Sequence, residues 1–179
     1  MAMNWPVFRV RATTAIIFAG VMAVGLLWNQ WSFLILFSII HFGCWIEYQQ
    51  LVAKIDPGYK TINPFHKYII ILAGWSLMLW LSNEGYSFLG LQLHEIGWWL
   101  GLIIMFLLPI TELLFTKNIV VKNIGHSFFG LVYISLSWGL MLNLYETHSN
   151  NDAALPLIQP FVIPVITIAS IWKIGRAHV

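Results

Sequence analysis

An all-α transmembrane bundle of about six spans is the fold class that this sequence predicts. Three observations point to it. Hydrophobic residues make up 59% of the 179 positions and charged residues 9%. Soluble domains run near about 25% charged and about 45–50% apolar, so the apolar excess here must face lipid rather than water. The apolar residues also fall into six continuous runs rather than alternating ones, which favours helices over barrel strands. Finally, the basic residues are confined to alternate connections between those runs.

The runs are 12–28, 31–46, 64–81, 96–115, 124–144 and 157–172. A helix needs about 20 residues to cross the hydrocarbon, within about 17–25. The fourth and fifth runs meet this directly. The third reaches it when Pro64–Lys67 extends the apolar core Tyr68–Leu81, and the second continues as an amphipathic stretch to Lys54. The first run has a basic flank, like a signal peptide. It passes into Trp28 without a small-residue cleavage site and reads as a retained anchor, paired with the second through Asn29–Gln30.

Charge tests this map. Arg9 and Arg11 precede the first run. Lys54, Lys60 and Lys67 follow the second, Lys117 and Lys122 follow the fourth, and Lys173 and Arg176 follow the sixth. The connections at Asn29–Gln30, Ser82–Glu95 and Tyr145–Pro156 hold no Lys or Arg. The positive-inside rule makes the basic side cytoplasmic and places the amino terminus there. Ten Trp and six Tyr suit interfacial belts.

The connection Glu47–Lys67 carries two turn signals, Asp56-Pro57-Gly58 and Asn63-Pro64, the second suited to cap and start the next helix. The segment Gly85–Glu95 is moderately apolar and is expected along the outer interface. Pro109, Pro160 and Pro164 lie within runs and bend them. No internal repeat, low-complexity tract or soluble domain is visible.

The net charge of +2 and the lack of a basic run exclude a nucleic-acid footprint. A single cysteine, Cys44, excludes an internal disulfide framework. There is no Walker loop, dinucleotide fingerprint, HExxH or CxxC. Candidate residues are therefore polar side chains at membrane depth, where burial is costly. Glu112 is expected to reach the interface or pair with Lys117. Glu47 and Tyr48 close the second run, where they either end a helix or line a cytoplasmic pocket. His41 is expected to make a helix-to-helix hydrogen bond rather than ligate a metal, and His126 to be interfacial. Gly97 and Gly101 form a GxxxG pair, a pattern frequent by chance and given little weight. These residues alone leave transporter subunit, lipid enzyme and assembly factor open.

Three stretches together resemble the amino-terminal portion of the phosphatidate cytidylyltransferases (CDP-diacylglycerol synthases), with a Bacteroidota-like flavour. Arg11-Ala12-Thr13-Thr14-Ala15 is similar to that family's R-x-x-T entry into its first helix. Trp45-Ile46-Glu47-Tyr48-Gln49-Gln50-Leu51 is similar to its W-E-[FY]-x-x-L, with Ile46 inserted. Glu112-Leu113, Asn123-Ile124 and Gly130-Leu131-Val132-Tyr133-Ile134-Ser135-Leu136 resemble an E-L pair followed by G-x-x-Y-[IV]-x-L-P, with Ser137 in place of the proline.

The resemblance implies a multi-pass protein of the bacterial cytoplasmic membrane that transfers CMP from CTP to phosphatidic acid. Mg²⁺ would be required, nucleic acid has no part, and a homo-oligomer is allowed. The polar positions carrying the resemblance are Arg11, Glu47, Tyr48, Glu112, Asn123 and Tyr133. No catalytic residue and no metal ligand is carried over, because the family's S-P-K-K-T-x-E-G loop and Asp-bearing helix have no counterpart in the sequence. Residues 174–179, IGRAHV, read as a non-native tail, with the native chain expected to continue after about Trp172. The polypeptide by itself is expected to be inactive. The competing expectation, a transporter subunit or other non-enzymatic component, requires paired polar residues near the bilayer midplane, broken helices or a repeat.

Overall fold

The computed structural model describes residues 5–82, 85–115 and 121–146, with the isolated position Ile166. The expected sixth span, 157–172, the tail 174–179, and Lys117, Lys173 and Arg176 lie outside the described residues. Within them the chain is helical apart from one small hairpin. Helix α1 spans Trp5–Leu27, α2 Gln30–Ile55, α3 Pro64–Trp80, α4 Leu93–Phe115, α5 Val121–Gly130 and α6 Ser137–Glu146. A π-helical segment, Leu131–Leu136, joins α5 to α6 and makes them one rod.

Each boundary has a local cause. Asn29 accepts a hydrogen bond from the Ser32 backbone N–H at 2.7 Å, while Ser32 Oγ accepts from the Asn29 N–H at 3.1 Å. This reciprocal capping lets α1 and α2 reverse through a minimal turn. Asp56 ends α2, and its carboxylate accepts from the Gly58 N–H, opening the 3₁₀ turn Pro57–Thr61. Asn63 caps α3 by accepting from the Phe65 N–H, with Pro64 in the first turn. The turn and cap signals of this connection therefore operate as their residue types predict, and α2 runs on past Lys54.

Strands are not expected from the apolar runs, yet Ser87–Phe88 pairs antiparallel with Leu91–Gln92. Leu89 and Gly90 both have positive φ, 54° and 82°, the backbone that a two-residue hairpin turn requires. Gln30 Nε2 donates to the Gly85 carbonyl at 3.2 Å, and Trp31 meets the Tyr86 and Phe88 rings edge-on. The hairpin thus seals the end of the bundle where α1 meets α2. Helix α4 begins three residues before the apolar run does.

Four rods are long and apolar enough to cross a membrane: 8–27, 30–55, 93–114 and 122–145. Helix α3, with 17 residues, is shorter and packs among α2, α4 and the π segment. The outer surface is apolar. Ile16, Ile17 and Phe18 on α1, Met105, Phe106 and Leu113 on α4, and Phe128 and Phe129 on α5 are all exposed. A water-facing surface does not carry such continuous apolar area. The chain is a membrane-type helical bundle.

One core cluster, at the hairpin end, gathers Phe33, Phe37, Met78, Tyr86, Leu142 and Tyr145. The other centres on Trp45, Ile70 and Ile134. Small residues set the spacing between helices. A Cβ on Gly97 would fall on the Trp80 backbone nitrogen and lie 2.8 Å from the Ser76 carbonyl oxygen, so α3 and α4 touch backbone to backbone. Gly101 continues that contact at Ser76. The GxxxG pair is thus a working helix contact.

Gly97→Leu should destabilise the bundle by about 1–3 kcal/mol, since neither backbone can retreat without breaking the α3–α4 seam. Gly20→Leu, where a Cβ meets nothing within 4 Å, should stay within about 0.5 kcal/mol of the parent. Thermal unfolding in detergent compares the two.

Candidate functional site

Polar side chains collect at two levels. The first is at mid-length. His41 lies near the middle of α2, fully buried. Its Nε2 is 3.0 Å from Ser135 Oγ on the π segment, and the Trp45 indole N–H donates to Ser135 Oγ at 2.9 Å, with His41 Nε2 3.1 Å away. Helix spacing places Trp45 one turn below His41. The π turn brings Ser135 inward to meet them. Gly74 of α3 closes the arrangement: a Cβ there would lie 2.7 Å from Trp45 Nε1 and 3.1 Å from His41 Nε2. His41 therefore makes the helix-to-helix bond expected of it. The polar residues do not all gather at the basic end, because this set sits at bundle mid-depth.

The second level is at the basic end. His66, in the first turn of α3, is buried between α4 and α5. Its Nδ1 pairs with Glu112 Oε1, and its Nε2 is 2.8 Å from Ser127 Oγ. A carboxylate can only accept. Nδ1 therefore donates to Glu112 in its carboxylate form, and Nε2 faces the Ser127 hydroxyl. Glu112 thus has a histidine partner on a neighbouring helix, and the expected partner Lys117 lies outside the described residues.

Above this group lies the 3₁₀ turn. Lys122 Nζ is 2.8 Å from Asp56 Oδ2, and His126 Nε2 is 3.5 Å from the same oxygen. Lys122 and His126 are four residues apart on α5 and present one face to Asp56. The hydrogen bond from Lys122, helped by the Gly58 N–H and by His126, holds the Asp56 carboxyl below its ordinary range. Tyr59 is fully buried beside Ser127, with His126 against its ring edge and Lys67 Nζ 5.5 Å from its ring centre. Burial pushes the Tyr59 phenol up, so it stays protonated. Gln49 Nε2 donates to the Lys67 carbonyl at 3.0 Å, tying α2 to α3.

The residues that carry the family resemblance separate into groups. Glu47, Tyr48 and Tyr133 line one crevice with Cys44, Lys54 and Trp138, about 680 Å³ in volume, between the end of α2 and the π segment. Its lining mixes a carboxylate, an ammonium and two phenols with apolar side chains. Tyr48 also donates to the His126 carbonyl at 2.7 Å, which fixes the ring against α5. Gly130 leaves room for that packing, since a Cβ there would lie 2.8 Å from the Tyr48 ring. Glu112 belongs to the His66–Ser127 group instead. Arg11 is exposed on α1 and Asn123 half-buried in the first turn of α5, each apart from the crevice.

His66, Ser127, Tyr59 and the Asp56–Lys122 pair were not singled out from sequence. One signal existed for His66: a glutamate inside an apolar run demands a partner. Several cations and histidines lie at the same end, however, and only the packing selects among them.

Among the described residues no group of three or more His, Cys, Asp or Glu lies together as a metal site would require. The Mg²⁺ that the resemblance implies therefore has no cage among them. No family model, curated protein or solved structure matches this chain.

A depressed carboxylate stabilises the fold above the ordinary aspartate range and loses that effect as pH falls through its lowered pKa. The stability advantage of the parent over Asp56→Asn should therefore be present at neutral pH and vanish in strong acid. Thermal melts of both proteins across pH check this. His41→Ala should cost about 2–4 kcal/mol, because it opens a cavity and removes the His41 partner of Ser135, while the Trp45 N–H keeps Ser135 Oγ. Ser135→Ala should cost less, since His41 Nε2 remains for the indole. Chemical denaturation in mixed micelles ranks the two.

Proposed function

We propose that this chain is the amino-terminal membrane portion of a phosphatidate cytidylyltransferase, oriented with its basic end in the cytoplasm of a bacterium and crossing the inner membrane about six times. The orientation rests on charge. Arg9, Arg11, Lys54, Lys60, Lys67 and Lys122, the basic side chains among the described residues, all belong to one end of the bundle. The Lys122–Asp56, Gln49–Lys67 and His66–Glu112 contacts bind those helix ends together. The opposite end, with Asn29, Ser82 and the hairpin, carries none. Under the positive-inside rule, that asymmetry among the described residues supports the proposed orientation.

The enzyme reading is carried by one observation. Glu47 and Tyr48, from one family-like stretch, and Tyr133, from another some 85 positions later, line the same crevice. The crevice is amphipathic and opens near the basic end, the depth at which a phospholipid headgroup meets its chains. In the proposed reaction a phosphatidate phosphate oxygen attacks the α-phosphorus of CTP and pyrophosphate leaves. The residues described here contribute lipid binding and orientation, with catalytic groups supplied by chain beyond them.

A second reading has its own support. The His41–Trp45–Ser135 group is a paired polar set near mid-bundle, at a π-helical break, as a transporter subunit would carry. It is fully buried, and no crevice described here is lined by it, so it favours a structural bond.

The full-length parent, supplied with CTP, phosphatidate and Mg²⁺, should form CDP-diacylglycerol. Tyr133→Ala should raise the KM for phosphatidate by about tenfold with little effect on that for CTP. An unchanged phosphatidate KM removes the crevice from substrate binding, and absence of product removes the family assignment. On a Cys44→Ser background, a cysteine at Lys60 should react with a membrane-impermeant maleimide only after the cells are opened.

A further inference from the structure

The His66 group has a chemistry that cytidylyl transfer does not use. Glu112, His66 and Ser127 form a carboxylate–imidazole–hydroxyl relay with the atoms in the order nucleophilic catalysis employs: Oε1 to Nδ1, Nε2 to Oγ. Here the carboxylate lies on Nδ1 and the serine on Nε2, and roles and geometry, rather than chain order, define such a relay.

Two further features stand beside it. Tyr59 places a buried hydroxyl beside Ser127, within reach of its side chain. It is positioned to receive negative charge developing on a carbonyl attacked by Ser127. Tyr59 also covers the serine. It belongs to the Pro57–Thr61 turn, which is fastened at one end by Asp56 to Lys122 and at the other by the Lys67 ammonium reaching the Lys60 carbonyl at 3.5 Å. Both fastenings lie at the surface, and exposed ion pairs are weak.

We propose that Ser127 is an acyl-accepting nucleophile, primed by His66 and Glu112 and covered by the Tyr59 turn, that reacts with carboxylic esters of lipids. The ester class follows from depth. Ser127 lies in the first two turns of α5, at the basic end of an apolar bundle, where the ester carbonyls of glycerolipids are found. Ser127 Oγ bonds to the carbonyl carbon as its proton passes to His66 Nε2. The ester C–O bond then breaks, and the departing alcohol takes that proton. An acyl group remains on Ser127, and water releases it as the acid.

The test uses the full chain in detergent micelles, with p-nitrophenyl butyrate as probe and peptide mass spectrometry as readout. A butyryl group should appear on Ser127, accompanied by p-nitrophenol. Asp56→Asn, which loosens the cover, should speed acylation a few-fold. His66→Gln should slow it by about 10²-fold, and Ser127→Ala should abolish the labelled peptide. Circular dichroism and size-exclusion profiles matching the parent exclude misfolding. Absence of a Ser127 adduct in both the folded parent and folded Asp56→Asn overturns the proposal and leaves the relay as a helix clamp. An adduct that forms equally fast in His66→Gln also overturns it. Neither result bears on CTP-dependent activity, so the two readings fail separately.

Discussion

Hydrocarbon supplies no hydrogen bonds, and that single constraint organises the interior of this bundle. Any polar side chain drawn inside must find its partner on another helix or leave donors and acceptors bare at a cost of kilocalories. His41 Nε2, Trp45 and Ser135 meet this demand together at mid-depth, with His41 Nδ1 left without a partner among the described residues, and His66, Glu112 and Ser127 meet it near the basic end. The glycines follow from these solutions. Gly74 exists because three polar side chains occupy the space a Cβ would take, and Gly130 because Trp45 and Tyr48 must lie flat against α5. The π segment follows too, since it turns Ser135 toward the histidine without ending the helix.

The two ends of the bundle are built differently. At the neutral end, closure is mostly apolar and aromatic, through Phe33, Phe37, Tyr145 and the hairpin rings. At the basic end, closure is polar: a short turn is held down by charge pairs over a buried relay. Charge pairs at a surface are weak and respond to pH and salt, whereas aromatic packing does not. The basic end is therefore the one able to open. It is also where the amphipathic crevice lies, so the groups suited to meet a headgroup and those suited to move share one face.

The two readings of that face are compatible. Under the proposed reading the crevice would hold a phospholipid with its ester carbonyls a few ångströms deeper than its phosphate. Glu47, Tyr48 and Tyr133 line that crevice. Tyr48 also reaches the carbonyl of His126, the residue preceding Ser127. Tyr48 is thus the link between the crevice and the stretch of α5 that carries the relay.

Much of this was determined by sequence alone. Continuous apolar runs and one-sided basic residues dictate helices, their rough limits and their shared end, because hydropathy and charge act locally and need no knowledge of neighbours. Asn29, Asp56-Pro57-Gly58 and Asn63-Pro64 dictate their turns for the same reason. Tertiary structure alone decided which polar groups meet. Glu112 had several candidate partners at similar depth, and rotation of α3 about its axis selected His66. The GWWLG pair acquired meaning only once α3 lay against it, and Ser135 faced His41 only through a π turn that no residue pattern announced. The hairpin at Ser87–Gln92 likewise depends on Trp31 and Gln30 from a distant helix. Pairing is a property of two surfaces in register, and a one-dimensional pattern records each surface without the angle at which they meet.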